Sequence, residues 1–347
     1  MQRNMNRWME DLRDSRNRKP MPVLSFPGIQ LLDISVRDLV DDGEMQARCM
    51  KAIADRYDTA ASMSNMDLSV EAEAFGAMVI YSDVEVPTVT GCLVNTEEEA
   101  LSLPVPEVGA GRTGEYIKGV SKALELITDR PVLAGVIGPF SLAGRLLDMT
   151  EIMIKCMVEP ETAHAVLEKA TEFITKYILA FKAAGANGIV MAEPAAGLLS
   201  PSLCMEFSSA YVKRIIETVE DESFAVIYHN CGSTAPLVDA IIATGARAIH
   251  LGNAVRLEDV LERYPEDMII MGNLDPCSVL RHGTAESVRT ATLDLLGKLE
   301  GYPNWVLSTG CDIPPMTPLG NIDAFFDAAA EYCSDDEGDE DCESTAA

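Results

Sequence analysis

The chain is 347 residues long and 48% hydrophobic, and its 55 acidic against 27 basic residues give a formal net charge of −28. Such a field repels phosphate and excludes nucleic acid as a partner, and no apolar run reaches the roughly 18 residues of a membrane span. Nine cysteines without framework spacing suit a reducing compartment, and the charged segment 1–19 lacks the apolar core of a signal peptide, so a cytoplasmic protein is expected.

In chain order, apolar runs at 22–26, 59–63, 132–137, 188–192, 224–228, 247–251, 268–271 and 305–308 read as strands. Helical patterns fill the gaps. Tyr116, Ile117, Val120, Leu124 and Ile127 repeat at helical spacing, as do Val166, Ala170, Phe173, Ile174, Tyr177 and Phe181. Pro160 suits the first turn of the second helix and Gly185 its end. The stretch 72–129, rich in Gly and Pro near 103–114, reads as an insertion. Residues 334–347 read as a disordered, solvated acidic tail. Strands alternating with helices imply a parallel sheet covered on both faces. Eight such units over residues 20–333 close most economically into an α/β (β/α)8 TIM barrel, with a doubly wound open sheet as the alternative.

In a barrel of this kind, reactive groups sit at the C-terminal ends of the strands. The run 224–228 leads into His229-Asn-Cys231, and residues two apart on a strand share a face. Imidazole nitrogen and thiolate sulfur are ligands that zinc prefers. Cys311 follows the last strand and Glu193 the fourth, so all four fall on one rim. The expectation is a His229/Cys231/Cys311 zinc site with one position open. Two thiolates cancel the charge of Zn2+, so a thiol arriving fourth loses its proton yet stays electron-rich, which suits activation of sulfur more than hydrolysis.

Glu193 has three readings: the resting fourth ligand, an outer acceptor for the site, or a rim carboxylate paired with an arginine. Asp83, Glu71 and Glu73 are further acids able to face the mouth. The sequence Gly232-Ser-Thr leads into an expected helix whose N-terminus would stabilise a Cys231 thiolate. His164, His250 and His282 have no cysteine at matching spacing. Cys49, Cys92, Cys156, Cys204 and Cys277 read as small buried residues, and Cys333 and Cys342 belong with the tail.

The stretches Tyr228-His-Asn-Cys-Gly232 and Ser308-Thr-Gly-Cys311-Asp-Ile-Pro-Pro-Met-Thr-Pro-Leu-Gly-Asn-Ile322 resemble the uroporphyrinogen decarboxylase superfamily. Within it they are most similar to the corrinoid-dependent methyltransferases that pass methyl groups to coenzyme M. Leu68-Ser-Val-Glu-Ala-Glu-Ala-Phe-Gly76, Gly138-Pro-Phe-Ser-Leu-Ala143 and Gly272-Asn-Leu-Asp-Pro276 add to the likeness, which covers about residues 20–333. The resemblance implies a barrel of the uroporphyrinogen decarboxylase type with zinc at its mouth, held by His229, Cys231 and Cys311. It also implies a methylcobamide donor on a partner corrinoid protein, a small thiol acceptor such as coenzyme M, and a place in one-carbon metabolism.

Some residues depart from the pattern. Decarboxylases of the superfamily carry an Arg-Gln-Ala-Gly-Arg stretch that grips substrate carboxylates. Here Ser25-Phe-Pro-Gly-Ile-Gln30 offers no arginine, which disfavours the alternative carboxy-lyase activity. Asp312 stands where the methyltransferases are expected to have glycine. Cobalamin-independent methionine synthases add a glutamate ligand where this chain reads Ala248-Ile-His-Leu-Gly-Asn253, so homocysteine is a weaker acceptor. Tetrahydrofolate as acceptor and a non-catalytic corrinoid-binding protein complete the set of readings.

Overall fold

The computed structural model describes residues 3–13 and 19–343, with 333–343 described by backbone alone. Nine strands are present among them: β1 (Ser62–Met63), β2 (Met78–Ile80), β3 (Thr88–Thr90), β4 (Val132–Ile137), β5 (Gly188–Ala192), β6 (Ala225–Asn230), β7 (Ala248–Leu251), β8 (Ile269–Leu274) and β9 (Trp305–Thr309). Seven of them form one parallel sheet in the order β1-β4-β5-β6-β7-β8-β9, and helices such as Pro160–Ala183 and Ala210–Val219 carry the crossovers. Parallel strands with helices outside are buried on both faces, which is why β4, β5, β6, β7, β8 and β9 are buried along their whole lengths.

Alternation divides these strands between two cores. Leu133, Val190, Ala192, Ala225, Ile227, Ala248, Ile269, Met271 and Val306 point into the barrel. Their neighbours, among them Val132, Ile189, Met191, Val226, Tyr228, Ile249, Ile270 and Leu307, pack against the helices.

The run 22–26, expected as the first strand, is not one. It occupies the eighth barrel position as extended chain that turns into a short helical turn, Phe26–Gly28. Met21 N donates to Leu307 O of β9 (2.9 Å), and Ala60 N donates to Pro20 O (3.0 Å) just before β1. Pro20, Pro22 and Pro27 have no N–H to give, so no regular ladder forms and single bonds close the (β/α)8 barrel.

The charged segment 1–19 contains a helix, Met5–Arg13, whose Met5, Met9 and Leu12 are buried. The spacing 5, 9, 12 is one helix face, and these side chains join the barrel-interior cluster. Met5 N donates to Glu222 O (2.7 Å) and Trp8 Nε1 to Ala60 O (3.1 Å). The helix therefore packs its apolar face against the inner core.

Within 72–129 the structure places the antiparallel β2–β3 hairpin and the helices Glu97–Ser102 and Thr113–Leu126. Arg281 ties the hairpin's Glu85 (3.1 Å) to the segment after β8. The helix Leu319–Glu343 runs into the acidic segment 334–347. Residues 344–347 of that tail lie outside the described residues. Among the described residues no helix is long and apolar enough to cross a membrane.

Candidate metal centre

On β6, Ala225 and Ile227 point inward, so His229 does too, at the barrel's C-terminal end. Cys231 follows one residue beyond that strand, and Cys311 two residues beyond β9. Curvature brings these non-adjacent strand ends together: the ligand atoms of His229, Cys231 and Cys311 all lie within 4.8 Å of one another. Cys311 Sγ stands 3.7 Å from His229 Nε2. The end of β7 presses against Cys231, and a Cβ on Gly252 would lie 2.3 Å from its Cα, so only glycine fits there.

The two half-buried thiols are coupled. A hydrogen bond from Cys311 brings Cys231 down to about 7, and the same bond, helped by burial, pushes Cys311 up to about 12. The first proton leaves the pair more readily than the second, and a bound cation would favour the double thiolate. On the imidazole, Nδ1 lies 3.2 Å from the His250 carbonyl. A carbonyl only accepts, so Nδ1 carries the proton and Nε2 is the bare nitrogen that faces the sulfurs. One nitrogen and two sulfurs at this spacing can hold a metal such as zinc with a fourth position left open.

The helix expected beside Cys231 does not start there. Pro236 sits in a 3-10 turn, Ala235–Leu237, and only the five residues Val238–Ile242 are α-helical. The Cys231 thiolate is stabilised by Cys311 instead. Asp312, half-buried with Ser25 Oγ 3.5 Å from its Oδ1, is held well above the usual carboxylate range by desolvation and then by Cys311. Cys49, Cys156 and Cys204 are buried as expected, but Cys92 and Cys277 are exposed, in segments outside the barrel strands.

Glu193 is not brought to the three ligands. Val190 and Ala192 point inward, so the next residue points outward. There its Oε2 accepts from Phe140 N (2.9 Å) and its Oε1 from Ser141 N (2.5 Å), at the start of the helix Pro139–Leu147. Burial pushes this carboxyl up to about 7 from an ordinary 4.5, against those bonds. Between those two values the folded chain keeps a proton that the unfolded chain releases, so stability falls as pH rises through that window. Glu193→Gln cannot titrate and turns an NH2 toward a backbone N–H. Urea unfolding should show a loss of about 1–3 kcal/mol and a flatter pH dependence between 4.5 and 7, with zinc content unchanged. Lost zinc would instead show that Glu193 reaches the metal.

A second polar group on the same rim joins residues far apart in the chain. Arg112 donates to Asp67 (2.5 Å), Glu73 (2.7 Å) and Ser69 Oγ (2.8 Å), while Tyr116 OH donates to Asp67 (3.0 Å) and Tyr81 to Glu73. Glu71 accepts from Ile137 N (3.0 Å) at the end of β4, and burial lifts it to about 7. Asp83 lies in the bend between β2 and β3 and makes a backbone bond to Val36 N (2.8 Å). No short motif marks the Arg112 group, because its members meet only after the insertion folds back on the loop after β1.

Residues 25–332 match the family described as Uroporphyrinogen decarboxylase (URO-D). The chain belongs to that family. It is 28% identical over 270 residues to the methylcobamide:CoM methyltransferase MtbA of Methanosarcina mazei, covering 77% of this chain and 78% of that one. It is also 23% identical over 314 residues to the uroporphyrinogen decarboxylase of Alcanivorax borkumensis, covering 86% of each. A solved structure of a methyltransferase from Methanosarcina mazei superposes with a TM-score of 0.82 at 22% identity, covering 94% of this chain and 98% of that one. Together with the family match, this likeness establishes the barrel of the uroporphyrinogen decarboxylase type.

Proposed function

We propose that the chain is a cytoplasmic, zinc-dependent methyltransferase that moves a methyl group from a methylated corrinoid on a partner protein to a small thiol such as coenzyme M. The observation that carries this reading is the His229/Cys231/Cys311 cluster, whose ligand atoms lie within 4.8 Å of one another at the barrel mouth. The likeness to a methylcobamide:CoM methyltransferase supports the classes of donor and acceptor. Zinc in that cluster supplies Lewis acidity that lets an acceptor thiol ionise at neutral pH. The chain's part is to keep the acceptor sulfur reactive: two cysteine thiolates offset the metal's charge, and the neutral imidazole adds none.

Decarboxylation is the poorer fit. A porphyrinogen's acid groups need cations, and segment 25–30 has none. Gln30 is committed elsewhere, its Nε2 donating to Pro315 O (2.9 Å) and Thr317 O (2.8 Å). Arg112 is already engaged by two carboxylates.

The test mixes zinc-loaded protein with methylcobalamin and, in separate arms, coenzyme M, homocysteine and tetrahydrofolate, and follows the cobalamin spectrum. Demethylation that depends on coenzyme M is expected. Activity with tetrahydrofolate alone would overturn the thiol acceptor, and binding of cobalamin without turnover in any arm would make this a corrinoid-binding protein.

A further inference from the structure

His250 is the register partner of His229 on the neighbouring strand β7. Its side chain points into the barrel like that of Ala248, two residues before it. The two rings meet edge to face with centroids 4.6 Å apart, and His229 Nδ1 is 2.8 Å from His250 Nδ1. Two ring nitrogens at that distance share one proton.

The far side of His250 decides who owns it. His250 Nε2 lies 2.7 Å from Ser308 Oγ. The Ser308 hydroxyl donates to Met21 O (2.6 Å), in the segment that fills the eighth barrel position. Its oxygen is therefore free to accept, and His250 Nε2 supplies the N–H. A neutral imidazole has one N–H, so His250 Nδ1 is a lone pair and, at 2.8 Å, the nearer of two acceptors for the His229 Nδ1 proton, the other being the His250 carbonyl at 3.2 Å. Every donor in the chain points one way, from His229 through His250 and Ser308 to the Met21 carbonyl.

We propose that His250 is a positioning residue of the metal centre, which together with Ser308 and the Met21 carbonyl fixes His229 in the tautomer and ring angle that present Nε2 to the metal. This rests on the zinc reading of the cluster and not on the methyl transfer. Partners of a metal-bound imidazole are commonly carboxylates or carbonyls. A carboxylate at this place would add a negative charge to a centre that already has two thiolates, and would oppose the arrival of a third sulfur anion. A neutral imidazole orients His229 without that charge.

The experiment compares His250→Leu, which keeps the bulk and loses the ring acceptor, leaving His229 Nδ1 only the longer bond to the backbone carbonyl of residue 250 (3.2 Å), with His250→Gln, whose amide can accept from His229 and donate to Ser308. Zinc affinity is measured by competition with a chromophoric chelator on the full chain. A fall of about 10–100-fold is expected for His250→Leu, with recovery to within a few-fold in His250→Gln. In zinc-loaded wild type, nitrogen-15 NMR should show a slowly exchanging proton on His229 Nδ1 that exchanges markedly faster in His250→Leu, where only the carbonyl bond at 3.2 Å remains. Wild-type affinity in a folded His250→Leu protein, or a His250→Gln protein as weak as His250→Leu, would overturn the proposal. Should His250→Leu not fold, Ser308→Ala removes the chain's next acceptor; a several-fold loss of affinity supports the proposal and no change overturns it. Zinc binding that follows this pattern without any thiol-dependent demethylation would overturn the function alone.

Discussion

Cys311→Ala should strip the metal from the purified protein and leave the barrel folded. The residue is half-buried beyond β9 and belongs to neither hydrophobic core, so its removal opens no cavity of consequence. Its sulfur is one of only three ligand atoms in the cluster. Losing it should weaken zinc by more than the roughly 10–100-fold that loss of an outer hydrogen-bond partner costs. Cys231→Ala should do the same, and it also removes the hydrogen bond that holds Cys311 up at about 12. His229→Ala should lose the metal and some stability as well, on the order of 1–3 kcal/mol, because it leaves the buried His250 Nδ1 without its donor. Elemental analysis after dialysis and urea midpoints separate the two effects. One zinc per chain in dialysed Cys311→Ala protein would remove that residue from the set.

The site was legible where two strand properties suffice. A run of apolar residues announces each strand, and a His-x-Cys pair at its end places two ligand types on one face. Cys311 could be added because a barrel puts all strand ends on one rim. Glu193 shares that rim position but has the opposite parity: on β5 it follows inward-facing Ala192, so it faces the helix Pro139–Leu147 and not the mouth. Position along the strand was read there and direction was not. His250 was hidden for a different reason. Its partner is fixed by the register between β6 and β7, which no local pattern states. The helix Met5–Arg13 was readable from its 5, 9, 12 spacing, but the surrounding charges masked it. The extended segment before Phe26 is the converse, with strand-like composition and prolines that deny it a ladder.

Arg112→Met should be among the most destabilising single changes on the rim. Its side chain is 8% exposed and that of its partner Asp67 is 0% exposed, so the substitution strands a carboxylate away from water. Breaking a buried pair from one side costs about 3–5 kcal/mol. The lower end is expected here, because Asp67 keeps donors in Ser69 Oγ (2.6 Å), Ser69 N (3.0 Å) and Tyr116 OH (3.0 Å). Glu73, at 22% exposure, can also turn toward water. The control is the double replacement Arg112→Met with Asp67→Leu, which leaves no orphaned charge at Asp67. It should recover a large part of the loss, since well-packed apolar pairs replace buried ion pairs at little cost. Zinc content should stay at the wild-type level in both proteins, because the ligands hang on β6 and β9 while this group hangs on the loop after β1 and on the insertion. An Arg112→Met protein within about 1 kcal/mol of wild type in urea would place it with exposed ion pairs, and the insertion would then be held to the barrel by its apolar contacts and its other polar ties, such as Glu85 to Arg281.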